Sequence, residues 1–295
     1  MIEIYFEQSN DAEKLYDLLQ REKHDNEESF QITYDGAKHI AIHINKRAAE
    51  VIRLFLIPRI TKFIIKFIED RWILSIITNL FYYRDKEEQQ QILQLAHSFI
   101  DGERYDYRSG KQQVIPREKL IEDALLEFLD DGISFLFESF LKFRLKKYSE
   151  RLLHYIELAI DEYKLEQEYQ NFVQTLRDFL TSRKPKIEKI HLFHKGSTFL
   201  FYDENYCEIS KSELKRFIDR TLIVNQPMYI DSSVLAPLVS IAPKKICLYT
   251  SYSDNGMVQT IQNIFQERVK LYHTNVFHKA NAVVSKSNDN GTLFS

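Results

Sequence analysis

The sequence predicts an α+β protein, because the spacing of its apolar residues changes twice along the chain. Apolar and polar residues alternate near both ends, as half-buried strands require, and apolar residues recur at helical spacing between them. Helix breakers are rare there: no Gly lies between Gly36 and Gly102, and no Pro between Pro116 and Pro185. We predict four parts: a β-α-β-β unit (1–45), a mainly helical region (46–183), a small α/β module (184–273) and a mobile tail (274–295).

The N-terminal unit shows the period of β-structure on both sides of a turn signal. Ile2, Ile4 and Phe6 alternate with polar residues, and a short apolar helix face follows them. Asp35-Gly36 then stands between two further alternating runs. Because Gly accepts the positive φ of a tight turn, this pair predicts a β-hairpin.

The helical region contains one predicted kink and one open question. Pro58 lacks a backbone donor, so it should kink or break the helix in which it lies. Asp85 predicts the N-terminus of a further helix. An unbroken apolar stripe predicts a long helix from about Ile133 to Leu165, and a break near Ser149 fits the same periodicity.

The C-terminal module returns to the period of strands. A hairpin is predicted across Lys195-Gly196, and Ser210 with Glu213 forms the capping-box pattern of a helix. A second helix is expected at about 232–241, and residues 245–272 show the strand, helix, strand order of a βαβ unit.

Composition excludes several functional classes. The 295 residues include 40 basic and 43 acidic side chains, so the chain lacks the positive field of a nucleic-acid-binding protein. Cys207 and Cys247 are too few for a disulfide framework or a four-thiolate metal site. The longest uncharged run, Trp72–Tyr83, has 12 residues, whereas a membrane span needs about 20. With no secretory signal at its start, the chain is expected to be cytoplasmic and not bound to membranes.

Several segments of the sequence resemble the YtxC-like family, the sporulation proteins of spore-forming bacteria. They are GISF at 132–135, FLKFRLKKY at 140–148, KPKI at 184–187, IAPKKI at 241–246 and IFQERV at 264–269. The resemblance covers about residues 120–272. It implies a cytoplasmic protein with a role in sporulation. The family has no assigned reaction, cofactor or catalytic residue, so the resemblance implies none here.

A basic cluster on the long helix is the first candidate site. At 100° per residue, Arg144 falls between two apolar arcs, with Lys147 and Arg151 on the same side. We favour a semi-buried Arg144 that pairs with carboxylates of another helix, since an unpaired buried charge is costly. The alternative is an anion site for phosphate, a nucleotide or an acidic partner, formed with Lys147 and Arg151.

The loop between the strand and helix of the βαβ unit is the second candidate. Ser251, Ser253 and Gly256 lie where free amides at a helix N-terminus can bind phosphate. Capping by Ser253 or Asp254 is the simpler explanation, because one Gly does not make a dinucleotide-binding loop. The scattered histidines predict no metal site, and alternation places His191 and His194 on opposite faces of their strand. No cofactor is indicated, and no catalytic constellation stands out.

These observations favour a non-enzymatic interaction protein that acts in the cytoplasm during sporulation, with one or more protein partners. The alternative is a protein or enzyme that binds phosphorylated ligands through Arg144, Lys147 and Arg151 or through residues 251–256. The sequence does not identify a reaction, and it leans against an enzyme.

Overall fold

A computed structural model describes residues 1–23, 29–106, 115–219, 230–231 and 233–289, and it confirms the α+β fold class. The chain divides into two compact units, Met1–Leu165 and Glu166–Ser295. This division differs from the predicted boundaries at residues 45 and 183. The N-terminal strands and the helices up to Tyr163 share one hydrophobic core, because the β-α-β-β part buries its apolar side chains against those helices.

A four-stranded sheet forms one side of the N-terminal unit. Its strands are β1 (Ile2–Tyr5), β2 (Phe30–Tyr34), β3 (His39–Ile44) and β4 (Ser134–Leu136), in the order β2-β3-β1-β4. The hairpin predicted at Asp35-Gly36 joins β2 and β3: the Asp35 carboxylate accepts the N–H groups of Ala37 and His39, and Gly36 has a φ of 77°. Strand β4 pairs in parallel with β1, in a stretch that periodicity predicts as helix.

Helices form most of what else the structure describes in the N-terminal unit. They are α1 (Ser9–Arg21), α2 (Ala48–Glu50), α3 (Ile57–Phe63), α4 (Glu69–Asn79), α5 (Lys86–Ile100), α6 (Arg117–Phe128), α7 (Phe137–Arg144) and the first part of α8 (Lys146–Thr181). The predicted N-cap of α5 is confirmed, since the Asp85 side chain accepts the N–H groups of Glu87 and Glu88.

Helical backbone continues from α2 to α4, through wider π-helical turns at Val51–Leu56 and Ile64–Ile68. The first of these ends immediately before Ile57 and Pro58, at the start of α3. Pro58 has no N–H for the carbonyl of Leu54 one turn earlier. The Arg59 guanidinium donates to that carbonyl at 3.1 Å instead. The predicted disturbance at Pro58 is therefore a change of helical pitch.

The stretch from Ile133 to Leu165 is not one helix. Its break lies at Leu145 (φ −91°, ψ 31°), between α7 and α8, and not at Ser149. Leu145 and Tyr148 are each 1% exposed, so burial of these side chains holds the corner in the core. Helix α8 then continues to Thr181, beyond the predicted end at Leu165.

A five-stranded mixed sheet organises the C-terminal unit. Its strands are β5 (Lys189–Lys195), β6 (Thr198–Tyr202), β7 (Glu208–Ile209), β8 (Lys245–Tyr249) and β9 (Val269–Tyr272), in the order β7-β6-β5-β8-β9. The predicted hairpin joins β5 and β6 as an antiparallel pair. The predicted βαβ unit is also present, since β5, β8 and β9 run parallel.

The described helices of this unit cover both faces of the sheet. They are α9 (Lys211–Phe217), α10 (Leu235–Ile241), α11 (Gly256–Phe265) and α12 (Thr274–Asp289), together with the end of α8. The capping box of Ser210 and Glu213 opens α9 as predicted. Helix α10 starts three residues after Ser232, which lies outside the described residues.

The segment predicted to be a mobile tail contains helix α12, which is fixed to the sheet by an aromatic side chain. Phe277 is 3% exposed and lies 4.7 Å from the ring of Phe193 and 5.1 Å from that of Tyr249. Residues 290–295 of the predicted tail lie outside the described residues. None of the described helices combines the length and the apolar content that a membrane span requires.

Candidate functional site

Arg144 does not form the predicted core bridge. Its side chain is exposed at the end of α7, and its guanidinium lies 5.3 Å from the centre of the Phe128 ring. Among the described residues it forms no ion pair. The interpretation is wrong because β4, the short helix α7 and the break at Leu145 set a rotation that one continuous helix would not have.

The other two basic residues of this cluster have separate surroundings. Lys147 is exposed, whereas Arg151 is half-buried and donates to the Tyr155 hydroxyl at 3.1 Å and to the carbonyl of Ile115. None of the described contacts of Arg144, Lys147 and Arg151 is common to two of them. An anion site formed by the three side chains stays a prediction.

Arg117, at the first turn of α6, is half-buried and pairs with a buried carboxylate of the N-terminal unit. Its Nη1 donates to Glu69 at 3.0 Å, and its Nη2 lies 3.2 Å from Asp101. Glu69 is 1% exposed and also accepts the Tyr148 hydroxyl. Burial raises the pKa of Glu69, and the hydrogen bond from Tyr148 and the charge of Arg117 only partly offset this effect. The bridge joins α4, α6 and α8.

Sequence reasoning did not single out Glu69 or Arg117, which lie 48 residues apart on different helices. A usable signal was present, since Glu69 follows Ile68 directly in an apolar stripe. Glu69, Asp70 and His97 also place ligand atoms within 4.8 Å of one another, the spacing of a metal site. However, Glu69 already accepts a hydrogen bond from the Arg117 guanidinium, and Nε2 of His97 is within hydrogen-bond distance of Asp70, at 2.8 Å. The group is better described as part of the ion-pair network.

The loop site is built by two parallel strands of the C-terminal unit. Phe193 of β5 and Tyr249 of β8 lie opposite each other at the last pair of the ladder. The next residues, His194 and Thr250, therefore meet at the carboxyl ends of both strands, where Nδ1 of His194 lies 2.9 Å from Oγ1 of Thr250. After this point β5 turns back into the antiparallel β6, whereas β8 continues into the loop 250–255 and helix α11. The loop therefore begins where the two parallel strands end.

His194 is buried with one ring nitrogen unused. It is 4% exposed, and its ring stacks on Phe199 with 4.4 Å between centroids and 5° between planes. Its Nε2 has no hydrogen-bond partner among the described residues. The single hydroxyl proton of Thr250 can go to Nδ1 at 2.9 Å or to the carbonyl of Tyr252 at 3.3 Å. When it goes to Nδ1, the nearer acceptor, Nε2 carries the ring proton and is a donor. The prediction that His191 and His194 face opposite sides of β5 is confirmed. His194 stacks on Phe199, which packs against the larger core cluster of this unit, whereas His191 contacts the hydroxyl of Tyr249 at 2.8 Å in the smaller cluster around Phe277.

Free backbone donors follow His194 and Thr250 in the loop. Asn255, and not Ser253 or Asp254, is the N-cap of α11: its side chain accepts the N–H groups of Met257 and Val258. The N–H groups of four other loop residues make no hydrogen bond within the described part of the chain: Ser251, Ser253, Asp254 and Gly256. The predicted residues Ser251, Ser253 and Gly256 thus lie on one loop and contribute mainly backbone donors.

A cavity of about 560 Å³ lies at this loop. Its lining residues are His194, Gly196, Ser251, Tyr252, Ser253, Asp254 and Asn255. Free N–H groups, an imidazole and the positive end of a ten-residue helix favour an anion there, whereas the Asp254 carboxylate opposes one. The arrangement can hold a phosphate-sized group, and none of the groups that line it is a pre-activated nucleophile.

Comparisons with known proteins agree with the sequence motifs. The profile of the YtxC-like family matches residues 55–270, which extends further towards the N-terminus than the motifs at 120–272. The uncharacterized protein YtxC of Bacillus subtilis (strain 168) is 40% identical over 287 residues, covering 97% of this chain and 99% of that protein. No solved structure matches the chain. The chain belongs to the YtxC-like family.

Proposed function

We propose that the protein is a non-catalytic binding protein that takes up the phosphate group of a small ligand at the loop 250–256. The single observation that carries this proposal is a set of unused donors at one cavity: the buried Nε2 of His194 and the N–H groups of the lining residues Ser251, Ser253 and Asp254. The unused N–H of Gly256 follows the lining residue Asn255 at the start of α11. A buried donor without a partner is unfavourable by roughly 1–3 kcal/mol. The penalty applies to Nε2 of His194, because the loop residues with free N–H groups are exposed, and an anionic oxygen that reaches Nε2 would remove it.

Asp254 sets the kind of anion that we expect. Its carboxylate lines the cavity and accepts the Ser253 hydroxyl at 3.3 Å, so it repels a ligand of high charge. A single phosphate or phosphate monoester therefore fits better than a triphosphate. Asp254→Asn should strengthen binding of inorganic phosphate several-fold, since like charges a few ångströms apart repel by about 1 kcal/mol or more in exposed sites.

Gly256 allows a test that removes one donor and little else. It is the first residue of α11, and Asn255 before it has φ −64° and ψ 130°, which a following proline accepts. Gly256→Pro deletes the N–H at a position where proline suits a helix. Gly256→Ala keeps the N–H, and a Cβ there meets nothing within 4 Å. The two variants differ mainly in the donor.

Binding is measured by calorimetry and thermal shift with inorganic phosphate, glycerol 3-phosphate and a nucleoside monophosphate. We expect Gly256→Pro to weaken binding about tenfold, because a hydrogen bond to a charged group contributes roughly 1.5–3 kcal/mol. Gly256→Ala should bind like wild type. His194→Phe keeps the stacking on Phe199 and removes the imidazole donor, so it should also weaken binding. Equal affinity in all variants, or no binding of any of these probes, would refute the proposal.

We further propose that this protein acts in the cytoplasm during sporulation. There it binds a protein partner, with an affinity that depends on whether the phosphate ligand is bound. The support is the resemblance of the motifs at 132–148 to sporulation proteins and the absence of a catalytic constellation in the sequence. Deletion of the gene should lower the count of heat-resistant spores, and a Gly256→Pro allele should reproduce part of the defect. Turnover of substrates by the purified protein would contradict the non-catalytic role.

A further inference from the structure

A second cavity, of about 490 Å³, lies in the N-terminal unit among α1, α4, α7 and α8. Its volume is in the range of small-molecule sites. One wall is apolar and is formed by Ile68, Trp72, Phe137 and Leu141. Phe137 is 1% exposed and Ile68 is 6% exposed, so this wall is continuous with the core of the unit. The remaining wall contains charged side chains.

Two carboxylate oxygens of residues that line this cavity have no hydrogen-bond partner in the described part of the chain. Asp11 is 3% exposed; its Oδ2 accepts Arg71 at 2.6 Å, and its Oδ1 is buried without a hydrogen bond among the described residues. Glu138 has the same asymmetry, since its Oε1 accepts the N–H of Glu7 at 3.1 Å and its Oε2 is buried and unpaired. The cavity therefore offers two acceptors and lacks donors for them.

The cations nearby do not supply those donors. Each nitrogen of the Arg71 guanidinium already has one partner other than these two oxygens: Nη2 donates to Oδ2 of Asp11, Nη1 to Gln8 at 3.1 Å and Nε to the carbonyl of Phe67 at 3.2 Å. Lys142 is exposed, and its Nζ lies 5.5 Å from the centre of the Phe143 ring. Arg71 balances the charge of Asp11, but the described part of the chain holds no ion-pair partner for Glu138.

Burial raises the pKa of Glu138, and the negative charges of Glu7 and Asp11 add to this increase. Two hydrogen bonds from backbone N–H groups lower the pKa, but they offset the increase only in part. Burial is the main cause of this increase, and the negative charges that add to it also attract a cation. An ammonium group carries one positive charge, which would balance the charge of Glu138. Its three N–H donors are enough to reach both unpaired oxygens, Oδ1 of Asp11 and Oε2 of Glu138. Its hydrocarbon part would contact Leu141 and the ring of Trp72, which also attracts cations.

We propose that this cavity binds a small organic amine in its ammonium form, with Glu138 and Asp11 as acceptors and the apolar wall around the hydrocarbon part. This site is independent of the phosphate site in the C-terminal unit, so either proposal can fail without the other. The two carboxylates favour a charged N–H donor, and the apolar wall favours a hydrocarbon group attached to it. Inorganic cations are disfavoured, because the apolar wall cannot replace the water molecules that they would lose.

The test is calorimetry with the full chain and a series of primary amines, from propylammonium to hexylammonium and including phenethylammonium. Each amine is compared with the alcohol that has the same hydrocarbon part. We expect at least one amine to bind about tenfold more tightly than its alcohol. Glu138→Gln should remove that difference. Glu150→Gln makes the same charge change at an exposed carboxylate, so it should leave the difference in affinity between amine and alcohol unchanged.

Stability measurements keep the result interpretable. Glu138→Gln should unfold at or above the wild-type midpoint, because it relieves a buried charge, so loss of binding cannot be assigned to loss of the fold. Leu141→Trp, which fills the apolar side of the cavity, should also abolish binding. Amines that bind no better than their alcohols, or a Glu138→Gln variant with unchanged amine affinity, would overturn the proposal. Equal displacement by sodium or magnesium ions would overturn it as well.

Discussion

Replacement of Arg117 by alanine should destabilise the N-terminal unit far more than the same replacement of Arg144. Arg117→Ala leaves Glu69, which is 1% exposed, with Tyr148 as its remaining donor. Loss of one partner of a buried ion pair commonly costs about 3–5 kcal/mol. Because the Arg117 side chain is 23% exposed, we expect the lower end of that range. Arg144→Ala removes an exposed cation–π contact with Phe128, for which about 0.5–1 kcal/mol is typical.

The assay is urea unfolding followed by tryptophan fluorescence. The chain has a single tryptophan, Trp72, whose ring lies 6.0 Å from that of Tyr148, so the signal reports on this unit. With slopes of about 1–3 kcal/mol per molar urea, a loss of about 3 kcal/mol in Arg117→Ala should shift the midpoint by about 1–3 M. Arg144→Ala should shift it by a few tenths of a molar, at an unchanged slope.

The pH dependence gives an independent check of the cause. Burial raises the pKa of Glu69, so the folded unit holds a proton on it more tightly than the unfolded chain does. A raised carboxyl pKa gives stability that is lost as pH rises, and Arg117 offsets that loss. The penalty of Arg117→Ala should therefore be larger at pH 8 than at pH 5. Equal midpoints for the two alanine variants, or a penalty independent of pH, would refute the bridge.

Three further predictions concern the C-terminal unit. Burial, together with nearby Lys189 and Lys245, lowers the pKa of His191 to about 4 from its usual value of 6.5. The folded state then binds fewer protons, so acid should reduce the unfolding free energy between those values by at most about 3 kcal/mol, and less in His191→Gln. Ser210→Ala should cost about 1 kcal/mol by calorimetry, since it removes the capping box of α9. Phe277→Ala should cost about 3–5 kcal/mol and expose α12 to proteolysis; resistance equal to wild type would contradict its anchoring role.

Local features of the fold could be read from the sequence because their causes are local. The Asp35-Gly36 hairpin, the N-cap of α5 and the capping box of α9 each depend on side chains within a few residues of the backbone they stabilise. The family motifs were also present in the sequence, and the broader profile match confirms them. Alternation placed His191 and His194 on opposite faces for the same reason.

The tertiary structure decided where those local elements meet. Strand β4 forms at Ser134–Leu136 because the edge of β1 offers it a partner more than a hundred residues away, and this pairing helps to turn the following helices so that Arg144 is exposed. Arg117, Glu69 and Tyr148 come from three helices, and no spacing within one helix brings them together. His194 and Thr250 likewise meet through the parallel register of β5 and β8. Such contacts depend on the packing of distant segments, which periodicity within one segment does not encode.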